Sequence, residues 1–100
     1  MTFYSVLAVT PTAEDWIPAY TASAGEIVSR HGGKYIARTP NHQQLEGADA
    51  PAALRIIIEW PSKEAALAFM SDPEYQPLLE GRTAGSISQH FLIEGADALS

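Results

Sequence analysis

One heptapeptide constrains this chain more than any other stretch: Leu54-Arg55-Ile56-Ile57-Ile58-Glu59-Trp60. A run of β-branched isoleucines closed by an aromatic residue fits a pleated strand and crowds the turns of a helix. Side chains alternate along a strand, so Arg55, Ile57 and Glu59 share one face, and Leu54, Ile56, Ile58 and Trp60 share the other. Apolar residues on both faces predict a central strand with cover on each side.

The segments around it fall into a regular order. Phe3 to Val9 reads as a first strand, closed by Thr10-Pro11. Thr12, with Asp15 three residues on, has the form of a helix start. Trp16, Tyr20, Ala24, Ile27, Val28 and His31 then recur at helical spacing. Pro18 either kinks this helix or marks its true first turn. Gly32-Gly33 is its stop signal. Lys34 to Thr39 is a second strand, followed by a polar loop over residues 40–53, long enough to suggest function or mobility. After the heptapeptide, Ser62 is placed to cap a helix with Glu64 in its first turn. Asp72-Pro73 signals another helix start, short and disturbed by Pro77. Gly85 to Glu94 forms the last strand, with Ile87, Gln89, Phe91 and Ile93 alternating against Ser88, His90 and Leu92.

The resulting β-α-β-β-α-β order gives a four-stranded antiparallel sheet with helices on one face. The strands put apolar residues on both faces, so the second face needs cover as well. A second copy of the chain stacked sheet to sheet is the simplest cover. The length supports that expectation, because 100 residues bury only about two-thirds of the surface exposed by the unfolded chain.

Charge and composition exclude several functions. Twelve acids against six bases give a formal net charge of −6, which argues against nucleic acid and against anionic membranes. The same order occurs in RNA-recognition domains, but Arg55-Ile56-Ile57-Ile58-Glu59 lacks the aromatic residues on which bases would stack. The absence of cysteine removes disulfides, thiolate nucleophiles and cysteine metal sites. No pair among His31, His42 and His90 has a metal-ligand spacing, so no metal is expected. No apolar run approaches a membrane span and the first residues do not read as a signal peptide, so the expected location is cytoplasmic.

The charged residues on strands are the chemically informative ones. Arg38, Arg55 and Glu59 lie where a sheet buries side chains, and a buried charge needs a partner. Strands two and three are expected to be neighbours, which would let Arg38 meet Glu59. Such a pair is either a structural ion pair or part of a polar patch in an apolar cleft. His31 suits a helix C-terminus. His90 is expected in the core or at an interface, and His42, in the long loop, is free to act as a mobile acid or base. Tyr4, Tyr20, Tyr35 and Tyr75 are expected chiefly to fill the core.

Taken together, the runs His31-Gly32-Gly33-Lys34-Tyr35-Ile36-Ala37-Arg38, Leu45-Glu46-Gly47, Arg55 to Ala66, Asp72-Pro73-Glu74-Tyr75-Gln76, Arg82 and Ile93-Glu94-Gly95 resemble the domain of unknown function 1330 family (DUF1330) over nearly the whole chain. The resemblance implies a ferredoxin-like fold of the dimeric α/β-barrel type, with two sheets face to face and helices outside. Residues 1–95 would then form one ferredoxin-like domain and residues 96–100 a C-terminal tail. Relatives in the broader superfamily include cofactor-independent monooxygenases, muconolactone isomerases and haem-degrading enzymes. The family pattern places Arg38, Glu46, Arg55, Glu59, Glu74, Tyr75 and Arg82 as cleft residues. The chain departs from that pattern at Trp60, where phenylalanine is more typical, and at Pro77, which interrupts the approach to Arg82.

The leading expectation is therefore a homodimer that binds a small organic or anionic molecule without metal or cofactor. Arg38 and Arg82 would hold an anionic or carbonyl oxygen, with Glu46 and Arg55 also among the ligand-binding residues. Glu59 would fix those guanidiniums or act as a base, and Tyr75 would donate a hydrogen bond. Glu59, Tyr75 and His42 are the candidates for proton transfer. The alternatives are a non-enzymatic structural or stress-related dimer held by Arg–Glu pairs, a monooxygenase- or isomerase-like enzyme, and a haem- or flavin-handling protein with a histidine ligand.

Overall fold

In a computed structural model, which describes residues 1–100, seven elements follow one another along the chain. They are β1 (Phe3–Pro11), α1 (Ile17–Arg30), β2 (Lys34–Thr39), β3 (Leu54–Trp60), α2 (Lys63–Ser71), α3 (Gln76–Ala84) and β4 (Ser86–Glu94). The strands form one antiparallel sheet in the order β2-β3-β1-β4. The heptapeptide is β3, and it is central. Its Ile56, Ile58 and Trp60 are buried against Ala24, Ile27 and Val28 of α1, Ala66 and Phe69 of α2, and Tyr75. Leu7 and Val9 of β1 complete this layer.

Local chemistry sets where each helix begins and ends. The expected cap at Thr12 is not used. The amides of Thr12 and Ala13 instead donate to the Gly85 carbonyl at 2.8 and 3.1 Å, where the Trp16 indole N–H also arrives at 2.9 Å. Helix α1 starts after Trp16 with Pro18 in its first turn, where a missing N–H costs nothing. It closes in a Schellman turn. Gly32 takes a φ of +78°, its amide donates to the Ser29 carbonyl and the Gly33 amide to that of Val28. Helix α2 begins as expected, with the Ala65 amide donating to Ser62 Oγ at 3.0 Å. Helix α3 begins later than expected. Asp72 accepts from the Glu74 amide at 2.9 Å in a turn, and Pro77, not Pro73, occupies the first turn of the helix. A proline at that point starts the helix rather than disturbing it.

The second face of the sheet is open. Val6, Ile57, Ile87, Phe91 and Ile93 are solvent-exposed, with Ile87 70% and Phe91 61% accessible. The cover predicted on both sides of β3 is present on the helical side alone. No helix is long and apolar enough to cross a membrane.

Candidate functional site

A cavity of about 150 Å³ lies between α1 and the helical face of the sheet. Its walls are mostly apolar: Leu7, Val9, Leu54, Ile56 and Ile58 from the strands, Trp16, Ile17 and Ala24 from the α1 region, and Phe69 from α2. An apolar cavity of roughly 150 Å³ is large enough to admit a benzene ring. The polar side chains lining it are Tyr20, Thr21, Tyr35, Arg38, Tyr75, Arg82 and His90.

Arg82 is the unusual member. It sits on α3, only 3% exposed, and its Nε and Nη1 are buried with no hydrogen-bond partner. The ion pairs of the protein lie elsewhere, linking Arg30 and His31 to Asp72 and Arg30 to Glu74. The Tyr20 ring lies near it, its centroid 5.8 Å from the guanidinium carbon. A guanidinium held in this way normally recruits a carboxylate or phosphate, because leaving its donors unpaired is costly.

The neighbouring groups fit an anion as well. The hydroxyls of Tyr20 and Tyr75 are 2.6 Å apart. One of the two must donate to the other, which leaves the second O–H free to donate elsewhere. Burial, followed by the proximity of Tyr75, pushes the Tyr20 phenol far above its ordinary value, so it stays protonated. Arg38 stacks on Tyr35 with its guanidinium carbon 4.0 Å from the ring centroid. Burial also raises the Tyr35 phenol, against an opposing pull from Arg38.

A bulge brings Arg38 here. The β2–β3 register shifts between Tyr35 and Ala37, so Tyr35 opposite Ile58 and Arg38 opposite Ile56 face the same way. The expected Arg38–Glu59 encounter is thereby ruled out. Glu59 lies opposite Lys34 and Tyr4, on the open face with Ile57, and cannot fix the guanidiniums in the cavity. Three of the expected site residues do come together: Arg38, Tyr75 and Arg82. Glu46, Arg55 and His42 instead line a separate hollow in the 40–53 loop. There Arg55 donates to the Ala50 carbonyl at 2.6 Å and the Gln44 amide nitrogen donates to the carbonyls of Glu46, Gly47 and Ala48, which is loop bracing. Glu74 pairs with Arg30 at the surface, at 2.9 Å.

The residues of the cavity least visible from sequence are Tyr20, Tyr35 and His90. His90 Nε2 lies 2.7 Å from Ser5 Oγ, and the Trp60 indole N–H donates to the same oxygen at 2.8 Å. Burial, and secondarily Arg82, lower the His90 imidazole below its ordinary value, so it is neutral near neutral pH. No group of three or more histidine, cysteine or acidic side chains is arranged to hold a metal.

Comparison with known proteins agrees with this fold. A protein of unknown function from Rhodopseudomonas palustris is 21% identical over 96% of this chain and 83% of its own, with a TM-score of 0.78. A dimeric ferredoxin-like protein of unknown function from Jannaschia sp. CCS1 is 14% identical over 94% and 99% of the two chains, with a TM-score of 0.67. SnoaB, a cofactor-independent oxygenase from Streptomyces nogalater, is 21% identical over 98% and 94%, with a TM-score of 0.56. At these identities the likeness is one of fold. No curated protein matches the chain. Residues 2–96 match the family described as Domain of unknown function (DUF1330), and the chain belongs to that family.

Proposed function

We propose that this protein binds a small cyclic organic anion in the cavity between α1 and the sheet, and that it does so as a homodimer. One observation carries the first part: Arg82 is 3% exposed, lacks a carboxylate partner and has two unpaired N–H nitrogens beside an apolar cavity. An entering carboxylate or enolate would supply the missing acceptor. Charge-assisted bonds of this kind are among the stronger ones. The apolar walls and three tyrosines favour a ring over a chain of polar groups. Arg38, stacked on Tyr35, is a second cation at the cavity wall.

The open sheet face supports the dimer. It carries Val6, Ile57, Ile87, Phe91 and Ile93 in exposed positions. A contiguous apolar face of this sort is the usual mark of an interaction surface. The structural-dimer alternative drew on Arg–Glu pairs between strands, and the Arg38–Glu59 pair it relied on is absent.

The binding test is a titration of benzoate followed by tryptophan fluorescence, with benzamide as the uncharged control. Trp16 lines the cavity and serves as the reporter. Benzoate is expected to bind the wild type more tightly than benzamide, and Arg82→Met is expected to remove the difference. Equal binding of the two compounds by the wild type would refute the anion site.

A further inference from the structure

His90 is the one residue shared by two cavities. The first is the anion cavity already described. The second, about 180 Å³, lies on the other side of the imidazole against α2 and is lined by Ser5, Ala66, Leu67, Met70 and Leu92. Leu67 is half-exposed, so this second cavity opens toward solvent. Ser5 and His90, which both line the second cavity, belong to the chain Trp60 Nε1–Ser5 Oγ–His90 Nε2, with links of 2.8 and 2.7 Å.

We propose that His90 is the proton acceptor of the anion site, supplied through Ser5 from the second cavity, so that an organic anion is taken up together with a proton. This rests on the reading of the Arg82 cavity as an anion site.

The hydrogen-bond chain has a fixed direction at one end. An indole N–H only donates, so Ser5 Oγ must accept from Trp60. The Ser5 hydrogen is then free for one other acceptor. We assign that acceptor as His90 Nε2, 2.7 Å away, which places the imidazole proton on Nδ1. When an anion enters, its charge favours a second proton on His90. A water in the second cavity gives a proton to Ser5 Oγ as Ser5 passes its own hydrogen to Nε2, and that water takes a proton in turn from the buffer acid. The imidazole becomes imidazolium, Ser5 and the relaying water are restored, and the buffer acid is left as its conjugate base.

The surroundings of His90 make its charge depend on the ligand. Arg82 faces it from α3, Tyr20 from α1 and Tyr75 from the turn before α3; Arg38 and Tyr35 of β2 line the far wall. Helix α2 offers Ala66, Leu67, Phe69 and Met70, and β1 offers Ser5, Leu7, Val9 and Pro11, none of them charged. No carboxylate lines either cavity. The only negative charge His90 can meet there is one brought in. Burial and Arg82 keep the empty imidazole neutral, and a bound anion opposes both influences.

Isothermal titration calorimetry of benzoate in two buffers of different ionisation heat reads the coupling directly. The wild type is expected to take up a fraction of a proton per site on binding. Benzoate affinity should then rise as pH falls, by at most about tenfold per unit. His90→Gln is expected to bind benzoate with no proton uptake and a flat profile. As a check needing no variant, the imidazole NMR titration of one of the three histidines should move to higher pH when benzoate is added. Proton uptake that is absent in the wild type at every pH from about 5 to 8, or that persists in His90→Gln, overturns the proposal. Loss of benzoate binding in the wild type would instead sink the anion site itself.

Discussion

Replacing Arg82 with methionine is expected to make the empty protein more stable. The side chain is 3% exposed, and two of its nitrogens are buried without partners. Each unsatisfied buried donor costs about 1–3 kcal/mol. Two therefore cost about 2–6 kcal/mol in the empty state. Against this stands the attraction to the Tyr20 ring at 5.8 Å, about 0.5–2 kcal/mol. Methionine keeps most of the aliphatic stem and its packing. The balance favours the variant by about 0–5.5 kcal/mol, about 3 kcal/mol at mid-range, and each kcal/mol raises Tm by about 4–8 °C for a domain of this size. Differential scanning calorimetry at one fixed protein concentration measures it. A lower Tm for Arg82→Met would refute the reasoning, because it would mean that the guanidinium stabilises the fold and is not waiting for a ligand.

Three other perturbations test separate parts of the structure. Phe91→Asp places a charge on the open sheet face, where Phe91 is 61% exposed, and is expected to convert a dimer to a monomer in sedimentation velocity; a wild type that is already monomeric contradicts the dimer. Gly85→Ala drives a methyl group into the Trp16 indole and is expected to cost about 1–3 kcal/mol, read as a fall in Tm; an unchanged Tm would show that Trp16 is free to move. The Asp72 carboxyl is held below the usual carboxylate range by the hydrogen bond from His31, then by the Glu74 amide and by Arg30. Its contribution is thus present above the unfolded-state value near 3.8 and lost as pH falls through the lower folded value. Asp72→Asn should melt earlier than wild type at neutral pH and converge with it in acid, and melting curves that stay parallel would contradict this.

How much of this was legible in the sequence depends on which physical signal each residue carried. The bounds and face assignment of β3 follow from alternation alone, and the structure reproduces both. The Gly32 stop follows from the one conformation that glycine adopts freely there. The start of α1 was misleading, because Thr12 and Asp15 look like a capping pair while the amides of Thr12 and Ala13 donate to a carbonyl 73 and 72 residues away. The site was only half legible. Arg38 stands out as a charge on a strand, and Arg82 came from the family pattern. A count of two along β2 puts Tyr35 and Arg38 on opposite faces; the bulge that unites them leaves no clear mark in the residues. That same bulge explains the failed Arg38–Glu59 expectation. His90 looked like an ordinary core or interface residue, and its importance depends on Ser5, 85 residues earlier.

A crystal of the protein soaked with 4-bromobenzoate tests the account most directly, since the anomalous signal of bromine locates the ring without ambiguity. The account predicts bromine among Leu7, Ile56 and Tyr20, with the carboxylate on the Arg82 guanidinium. Bromine found only in the hollow of the 40–53 loop, or an Arg82 still unpaired beside a bound ring, would contradict it.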